Sequence, residues 1–187
     1  MFLKNYWYIA AMSHEVGRPP LQRWLLNEPV VMYRTGDGRP VALLDICPHR
    51  SYPLSHGELI GDELRCNYHG LVFGPSGQCV KIPGQVNIPP RCKARVFPVI
   101  ERWNWIWIWM GDPALANDAL LPDMHWNDHP GWTTTGGYFH IKCNYQLLVD
   151  NLMDLSHEAT VHPSTIGNDA IAETPCRTDV NGEHVRT

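Results

Sequence analysis

Two short Cys/His pairs constrain this chain more than any other feature of its sequence. The first pair is Cys47-Pro48-His49 and the second is Cys66-Asn67-Tyr68-His69, with sixteen residues between them. Each pair supplies one thiolate and one imidazole. A turn-forming residue accompanies each pair, Pro48 in the first and Gly70 directly after the second. Two loops of this kind are expected to converge on one metal centre.

The ligand set of two sulfurs and two nitrogens fits two kinds of metal centre. A [2Fe–2S] cluster that takes Cys on one iron and His on the other needs this set. A structural zinc ion with two Cys and two His ligands would also accept it. Zinc fingers usually pair Cys with Cys and His with His, whereas each loop here carries one of each. The pattern therefore favours the iron–sulfur cluster.

Length and composition narrow the possible classes of protein. The chain has 187 residues, enough for one large domain or two small ones, and its hydrophobic content of 44% allows a packed core. The net charge of −4 argues against binding of nucleic acid or of an anionic membrane. The sequence predicts neither a signal peptide nor a membrane span. Six irregularly spaced cysteines do not resemble a disulfide framework, so a reducing cytoplasm is expected.

The first 110 residues predict short strands broken by Gly/Pro turns. Apolar runs at 30–33 and 41–44 flank turn residues at 35–38, which is a hairpin signal. Short apolar segments also border both Cys/His pairs, so each pair is expected on a loop between strands. Over 103–109, tryptophans alternate with asparagine and isoleucine, which predicts a strand with at least one face in the core.

The remaining sequence predicts a second domain. A polar, proline-containing stretch at 114–130 is typical of an interdomain connector, which gives domains over 1–112 and 113–187. A strand is expected over 133–143 and a helix from Tyr145 to about His157. Four leucines of this helix recur at steps of three and four residues and predict one buried face; they are Leu147, Leu148, Leu152 and Leu155.

A second group of candidate ligands lies on this helix. Three-residue steps place Asn151, Asp154 and His157 on one helical face, and His162 follows directly before Pro163. The helix has to end near His157 if His157 and His162 are to bind one metal. Two histidines are suitable ligands for a 2-His-1-carboxylate iron(II) site. Surface or capping histidines are the alternative.

The complete pattern resembles a known family. Cys-x-His, sixteen residues, Cys-x-x-His, and then Asn-x-x-Asp-x-x-His-x-x-x-x-His is similar to the oxygenase component of Rieske non-haem iron oxygenases. Segments 2–8, 45–50 and 147–155 resemble the vanillate O-demethylase and dicamba monooxygenase branch. The resemblance covers essentially the whole chain. It implies an α+β fold, with an N-terminal all-β Rieske [2Fe–2S] domain followed by the first part of a helix-grip catalytic domain.

The resemblance also implies roles for the two groups of ligands. Cys47 and Cys66 would bind one iron of the [2Fe–2S] cluster. His49 and His69 would bind the other iron. The catalytic mononuclear iron(II) would be held by His157 and His162.

Two further residues receive roles from the resemblance. Asp154 would bridge the two metal sites, accepting a hydrogen bond from His157 and, across the interface of a homotrimer, one from the partner subunit's His69. Asn151 would lie close to the catalytic iron, although a solvent-facing helix residue is the alternative. Both residues are therefore candidates for the catalytic machinery.

The implied function is that of a terminal oxygenase. An NAD(P)H-dependent ferredoxin-type reductase would supply electrons originating from NADH, and dioxygen would be used to hydroxylate or O-demethylate an aromatic, methoxybenzoate-like substrate. The alternative is a Rieske-type electron-transfer protein without oxygenase activity of its own. The family's third iron ligand is an aspartate far downstream, so we expect a truncated chain that is inactive alone. Asp150, Asp154 and Glu158 are the local carboxylates that could substitute.

Overall fold

The computed structural model describes residues 2–182 and 184–186 and divides into two compact units, Met1–Thr135 and Gly136–Thr187. The described part of the first unit contains eleven strands: β1 (Tyr6–Met12), β2 (Leu21–Leu25), β3 (Glu28–Arg34), β4 (Pro40–Leu44), β5 (Glu58–Ile60), β6 (Glu63–Arg65), β7 (Val72–Phe73), β8 (Cys79–Lys81), β9 (Val96–Phe97), β10 (Val99–Arg102) and β11 (Trp105–Met110). The second unit contains α1 (Tyr145–Met153), α2 (Glu158–Val161), α3 (Asp169–Glu173), β12 (Asp179–Asn181) and β13 (His184–Arg186). Among the described helices, none has the length and apolar character needed to cross a membrane.

Three antiparallel sheets build the first unit, with strand orders β5-β6-β7-β8, β2-β3-β4-β9 and β1-β11-β10. The second of these sheets is covered on both faces, as alternate residues of β3 show. Val31 and Tyr33 pack with residues of the β5–β8 sheet, whereas Val30 and Met32 pack with residues of β1 and β11. This double covering explains why 30–33 is an uninterrupted apolar run.

The predicted hairpin is confirmed as β3 and β4. The two strands pair in an antiparallel register that runs from Val30 opposite Leu44 to Arg34 opposite Pro40. A main-chain hydrogen bond of 3.0 Å from Thr35 to the carbonyl of Arg39 closes the turn. The turn fixes the register, so each side chain of β4 faces the core that its position in the pattern requires.

The tryptophan-rich segment forms β11, the central strand of its sheet. Residues 106–110 are all buried, so the strand is covered on both faces. The alternation of residues had predicted that at least one face is buried. Trp109 packs edge-on against Trp7, with ring centroids 5.3 Å apart. The indole N–H of Trp109 donates to the carbonyl of Asp112 at 2.8 Å. The prediction of a core strand is confirmed, and each buried indole nitrogen has a partner.

The stretch at 114–130 lies within the first unit. It forms 3-10 turns at Pro113–Leu115, Asp118–Leu120 and His125–Asn127. Apolar side chains between and beside these turns pack against the tryptophan cluster; they are Ala116, Leu121 and Met124. The first compact unit therefore extends past the domain boundary predicted at 112, because these side chains cover the outer face of β11.

The predicted strand over 133–143 is wrong. The structure describes this whole range, which contains no strand or helix and is exposed throughout. No neighbouring strand pairs with it, and alternation alone does not hold an extended segment in a sheet. Near the end of the described sequence, β12 and β13 form a hairpin with Val180 opposite Val185.

The helix α1 is shorter than predicted. It begins at Tyr145, where the Asn144 side chain accepts a hydrogen bond from the main-chain N–H of Gln146 at 3.0 Å. It ends at Met153 rather than near His157, because Asp154 is extended and caps a new 3-10 turn, Leu155–His157.

The leucine face of α1 is not covered within the residues of this chain that the structure describes. Leu147, Leu148, Leu152 and Leu155 are all exposed. The described part of the second unit contains only three short helices and one hairpin. These elements provide no apolar surface that covers the leucines.

Replacing Trp109 by alanine tests the importance of the tryptophan cluster. Trp109 is 1% exposed, so Trp109→Ala should lower the free energy of unfolding by about 3–5 kcal/mol through the cavity it leaves. Trp24 on β2 is 67% exposed and serves as the matched control, for which Trp24→Ala should change stability by no more than about 0.5 kcal/mol. Urea denaturation followed by circular dichroism measures both values. Equal losses in the two variants would contradict this account of the core.

Candidate metal centres

The first ligand loop is a closed turn at the end of β4. The main-chain N–H of Cys47 donates to the carbonyl of Tyr52 at 2.8 Å, and the N–H of Ser51 donates back to the carbonyl of Cys47 at 2.8 Å. Ser51 has a φ of 53°, the left-handed conformation that lets the chain reverse within five residues. The loop therefore holds Cys47 at its base, as predicted for a tip between strands.

The second ligand loop, between β6 and β7, repeats this turn. Cys66 donates to the carbonyl of Leu71 at 2.8 Å, and Gly70 donates to the carbonyl of Cys66 at 2.9 Å. Gly70 occupies the position equivalent to Ser51, with a φ of 74°. A Cβ atom at Gly70 would lie 3.0 Å from Cγ of Pro83, so glycine also allows a close approach there. Both loops thus present their cysteine through the same backbone geometry.

The two loops bring all four predicted cluster ligands together. Cys47 and Cys66 are 2% and 1% exposed and pack in the same hydrophobic cluster. His49 and His69 are exposed, with ring centroids 4.6 Å apart and planes at 72°. The sulfurs therefore face the core and the imidazoles face the surface.

The electrostatics of the buried thiols suit a cationic centre. Burial, together with the neighbouring Cys66 thiol, raises the pKa of Cys47 to about 11. Main-chain N–H groups of His49 and Arg50 donate towards the Cys47 sulfur and act in the opposite direction. Iron bound at this point would displace the thiol protons and neutralise the buried negative charge. The donor set, its burial and its hydrogen bonds fit a [2Fe–2S] cluster.

No three or more His, Cys, Asp or Glu side chains within residues 2–182 and 184–186 form a group that could hold a single metal ion. A cluster with two Cys ligands on one iron and two His ligands on the other requires no such group.

Aromatic side chains that the sequence reasoning did not single out connect the two loops. Tyr68 stacks beside His69, with ring centroids 3.8 Å apart, and it also contacts Tyr52 of the first loop at 5.6 Å. The Asn67 side-chain amide donates to the carbonyl of His56 at 2.8 Å. In the sequence, the position of Tyr68 directly before the ligand His69 is the feature that could have predicted the contact between the loops.

A buried carboxylate supports the first loop. Asp45 is 2% exposed and accepts hydrogen bonds from the main-chain N–H and the hydroxyl of Ser55, both at 2.6 Å, and from the Gln22 side chain. These bonds tie the end of β4 to the 3-10 turn at Leu54–His56. An acidic residue between an apolar run and a ligand loop was the signal for this role, which the sequence reasoning missed.

A cavity of about 570 Å³ lies beside the two imidazoles. The loop between β8 and β9 forms one wall of it, through Ile82, Pro83, Gln85, Pro89, Arg91 and Cys92. We call this segment, residues 82–92, the wall loop. It borders the cavity opposite His49 and His69.

The second predicted group contains a histidine pair. His157 and His162 have ring centroids 5.5 Å apart and planes at 67°. Nδ1 of His157 lies 2.6 Å from the main-chain oxygen of Asp154. A carbonyl oxygen only accepts hydrogen bonds, so Nδ1 carries the proton and Nε2 is the nitrogen left for a metal. The structure brings these two imidazoles together, and their sharing of an iron stays a prediction.

A close main-chain contact positions His162. Its N–H donates to the carbonyl of Glu158 at 3.0 Å, and its own carbonyl accepts from Gly167 at 3.0 Å. A Cβ atom at Gly167 would lie 2.1 Å from the oxygen of Glu158, so only glycine allows the chain to fold back here. The His162 main chain is therefore held from both sides.

Asn151 and Asp154 do not share one helical face with His157, because α1 ends at Met153. Asn151 is exposed on α1. The Asp154 carboxylate accepts from the N–H and hydroxyl of Ser156, at 3.0 and 2.6 Å, and these bonds hold its pKa below the usual value. Within this chain His157 contacts the carbonyl of Asp154 rather than its carboxylate. The proposed bridging role of Asp154 remains a prediction.

Comparison with known families identifies the class of protein. A family model of the Rieske [2Fe-2S] domain matches residues 6–98, and a model of the vanillate O-demethylase oxygenase C-terminal domain matches residues 141–187. The chain belongs to the Rieske oxygenase family, as its motifs predicted.

Particular relatives place the chain in one branch of that family. It is 53% identical over 172 residues to a putative toluene-4-sulfonate monooxygenase system iron-sulfur subunit of Comamonas testosteroni, covering 92% of this chain and 50% of the relative. It is 50% identical to the oxygenase component of dicamba O-demethylase of Stenotrophomonas maltophilia, covering 90% and 50%. It is 46% identical to a vanillate O-demethylase oxygenase subunit of a Pseudomonas species, covering 100% and 52%. The chain spans about half the length of the curated relatives it matches.

Solved structures confirm the fold. A crystal structure of dicamba monooxygenase bound to dicamba matches with a TM-score of 0.89 and 46% identity, covering 98% of this chain and 55% of the other. A second structure, of dicamba monooxygenase with non-heme iron and dicamba, gives a TM-score of 0.80 and 51% identity over 83% and 48% of the two chains. The expected α+β architecture, a Rieske domain followed by helices, is therefore correct.

Replacing a buried sulfur tests the cluster site. Cys66→Ser should abolish the [2Fe–2S] cluster, because a serine hydroxyl does not replace a buried thiolate ligand of iron. Anaerobically purified protein should be brown, and the variant should lack both the colour and the paramagnetic signal seen after reduction. Cys143→Ser is the matched control, since Cys143 is exposed and belongs to the second unit. Stoichiometric zinc without acid-labile sulfide in the unaltered protein would overturn the assignment.

Proposed function

We propose that the protein functions as the terminal oxygenase component of a multicomponent Rieske oxygenase. The observation that carries this proposal is the presence of two histidine pairs in one chain. His49 and His69 stand beside two buried cysteines, and His157 and His162 form a second pair with rings 5.5 Å apart. An electron-transfer protein needs the first pair only.

The residues of the first pair suit electron entry. When bound, the cluster supplies single electrons and the mononuclear iron supplies the activation of dioxygen. Cys47 and Cys66 anchor the cluster from the buried side, while His49 and His69 reach the surface where a reductase can approach. The ferredoxin-type reductase in this proposal takes its electrons from NAD(P)H, with NADH the expected donor, in the cytoplasm.

The residues of the second pair suit an open iron(II) site. His157 presents Nε2, because its Nδ1 proton is held by the carbonyl of Asp154. Asn151, exposed on α1, would lie near the iron and contact it weakly. Two imidazoles leave positions for a carboxylate, substrate and dioxygen, as in the 2-His-1-carboxylate class.

Asp154 would connect the two sites between subunits. Oδ1 of its carboxylate is occupied by Ser156, and within the described residues no hydrogen bond to Oδ2 is seen. In the homotrimer that we propose, this oxygen would accept a hydrogen bond from the partner subunit's His69. Asp154 would then hold both rings, that of His157 through its main-chain carbonyl and that of the partner subunit's His69 through its carboxylate, and would shorten the path of the electron.

The substrate that we propose is a small aromatic compound, methoxybenzoate-like, which is hydroxylated or O-demethylated. The names of the relatives support this class, since they refer to dicamba, vanillate and toluene-4-sulfonate. The test uses the product of the full reading frame that contains this chain, with reductase, NADH and dioxygen. Substrate-dependent oxygen uptake with release of formaldehyde from aryl methyl ethers is expected. Reduction of the cluster without oxygen uptake on any aromatic compound would favour the electron-transfer alternative.

Asp154→Asn should reduce turnover by about 10- to 100-fold while iron content and the cluster spectrum stay normal. Asparagine removes the charge but still caps the turn at Ser156, so the local fold is preserved. Asp150→Asn, one turn earlier in α1, is the matched control and should keep its activity. If Asp154→Asn is as active as the control, the bridging role is wrong.

The 187-residue chain alone should retain iron(II) weakly at the second pair. Within residues 2–182 and 184–186 no third His, Cys, Asp or Glu joins His157 and His162 in a metal-binding group, and imidazoles without an anionic ligand hold iron(II) poorly. Iron analysis after desalting should therefore find only the iron of the cluster, and the chain should show no oxygenase activity. Retention of one further iron, lost in His157→Ala, would mean that Asp150, Asp154 or Glu158 completes the site.

A further inference from the structure

Two cysteines outside the cluster lie opposite each other at the base of the wall loop. Gln78 and Lys93 form an antiparallel bridge, which places Cys79 directly across from Cys92 in the same register. The main-chain N–H of Cys79 donates to the carbonyl of Cys92 at 3.1 Å. The two residues are therefore neighbours on adjacent chain segments although twelve residues separate them in the sequence.

The backbone register at this pair suits a covalent link. Directly opposite residues of an antiparallel pair have Cα atoms about 4.5–5.5 Å apart, and a disulfide accepts Cα separations of about 4.4–6.8 Å. The side chains of Cys79 and Cys92 pack in the same hydrophobic cluster. The two sulfurs therefore lie on the same side of the paired segments.

The two thiols differ in access. Cys92 is partly exposed and lines the cavity beside His49 and His69. Cys79 is buried, and its thiol donates to the carbonyl of Lys81 at 3.4 Å. A reagent in solution reaches Cys92 first, and Cys79 is placed to attack whatever forms there.

We propose that Cys79 and Cys92 are a reversible dithiol–disulfide pair that reacts with small disulfides of the glutathione class. The Cys92 thiolate attacks one sulfur of oxidised glutathione, which breaks its S–S bond and releases one glutathione. The Cys79 thiolate then attacks Cys92 in the mixed disulfide and releases the second glutathione. The protein loses two electrons and two protons, and oxidised glutathione is reduced to two molecules of glutathione.

The bond would join the two ends of the segment that forms the cavity wall. Residues 80–91 would become a closed loop, and their fluctuations away from the two imidazoles would be restricted. In a reducing compartment such a pair is a redox-sensitive modification site rather than a permanent crosslink. Its expected effect is slower loss of cluster iron in the oxidised form.

The experiment uses the anaerobic, cluster-loaded chain treated with oxidised glutathione, followed by digestion with trypsin and mass spectrometry. Cleavage after Lys81 and Arg91 separates the two cysteines, so their peptides stay joined only through a disulfide. We expect a Cys79–Cys92 linked pair that dithiothreitol separates. In Cys79→Ser, the mixed disulfide should instead accumulate at Cys92.

Exposed Cys143 is the internal control for the reagent, since it should form a mixed disulfide in every sample. If Cys92 of the unaltered chain stays a thiol or a stable mixed disulfide while Cys143 reacts, the proposal is wrong. The unaltered chain alone decides this point, so it does not depend on the folding of a variant.

Iron release to a chelator, followed by visible absorbance, tests the effect on the wall loop. The oxidised chain should lose iron several-fold more slowly than the reduced chain. Cys92→Ser, treated with the same oxidant, should show no difference between the two conditions. Equal rates in the unaltered chain, with the disulfide present, would refute the effect on the cavity wall.

Discussion

Burial of the β2-β3-β4-β9 sheet on both faces is the constraint on which the first unit depends. Residues of β3 alternate between two cores, one shared with the β5–β8 sheet and the other with β1 and β11. The same sheet leads directly from β4 into the first ligand loop, where buried Asp45 is hydrogen-bonded to Ser55. A slip of one residue in β3 or β4 would exchange the two faces and move the base of that loop. The position of Cys47 is therefore set by the packing of this sheet.

The cluster site has a buried side formed by the sulfurs and an exposed side formed by the imidazoles. Cys47 and Cys66 close the inner side, where uncompensated charge is costly, and the iron they bind would be shielded from water. His49 and His69 stand on the outer side, 4.6 Å apart, where a partner protein can come close. Electrons of a bound cluster would therefore enter and leave on the histidine side.

Local signals predicted most of the cluster domain, and non-local packing accounts for the rest. The β3–β4 hairpin, the two ligand loops and the β11 strand were predictable because strand periodicity and turn residues are written in short segments. The end of α1 was not predictable in this way, because an aspartate can either continue a helix or cap a new turn. The hydrogen bonds from Ser156 to the Asp154 carboxylate stabilise the new turn. The strand expected over 133–143 does not form, because no neighbouring strand pairs with this segment. The packing of segment 114–130 on the tryptophans was not predicted, because the apolar residues of this segment are few and widely spaced.

The repeated turn of the two ligand loops has an unequal consequence for the cavity beside the imidazoles. Ser51 and Gly70 occupy equivalent left-handed positions, and Gly70 faces a proline of the wall loop, with 3.0 Å to the Cγ of Pro83 for any added Cβ. A side chain at position 70 would displace Pro83 by a few tenths of an ångström and so move the wall of the cavity. Position 51 carries a serine side chain in the same backbone conformation. Two loops with one backbone shape are therefore not interchangeable, because position 70 also sets how closely the wall loop approaches the ligand histidines.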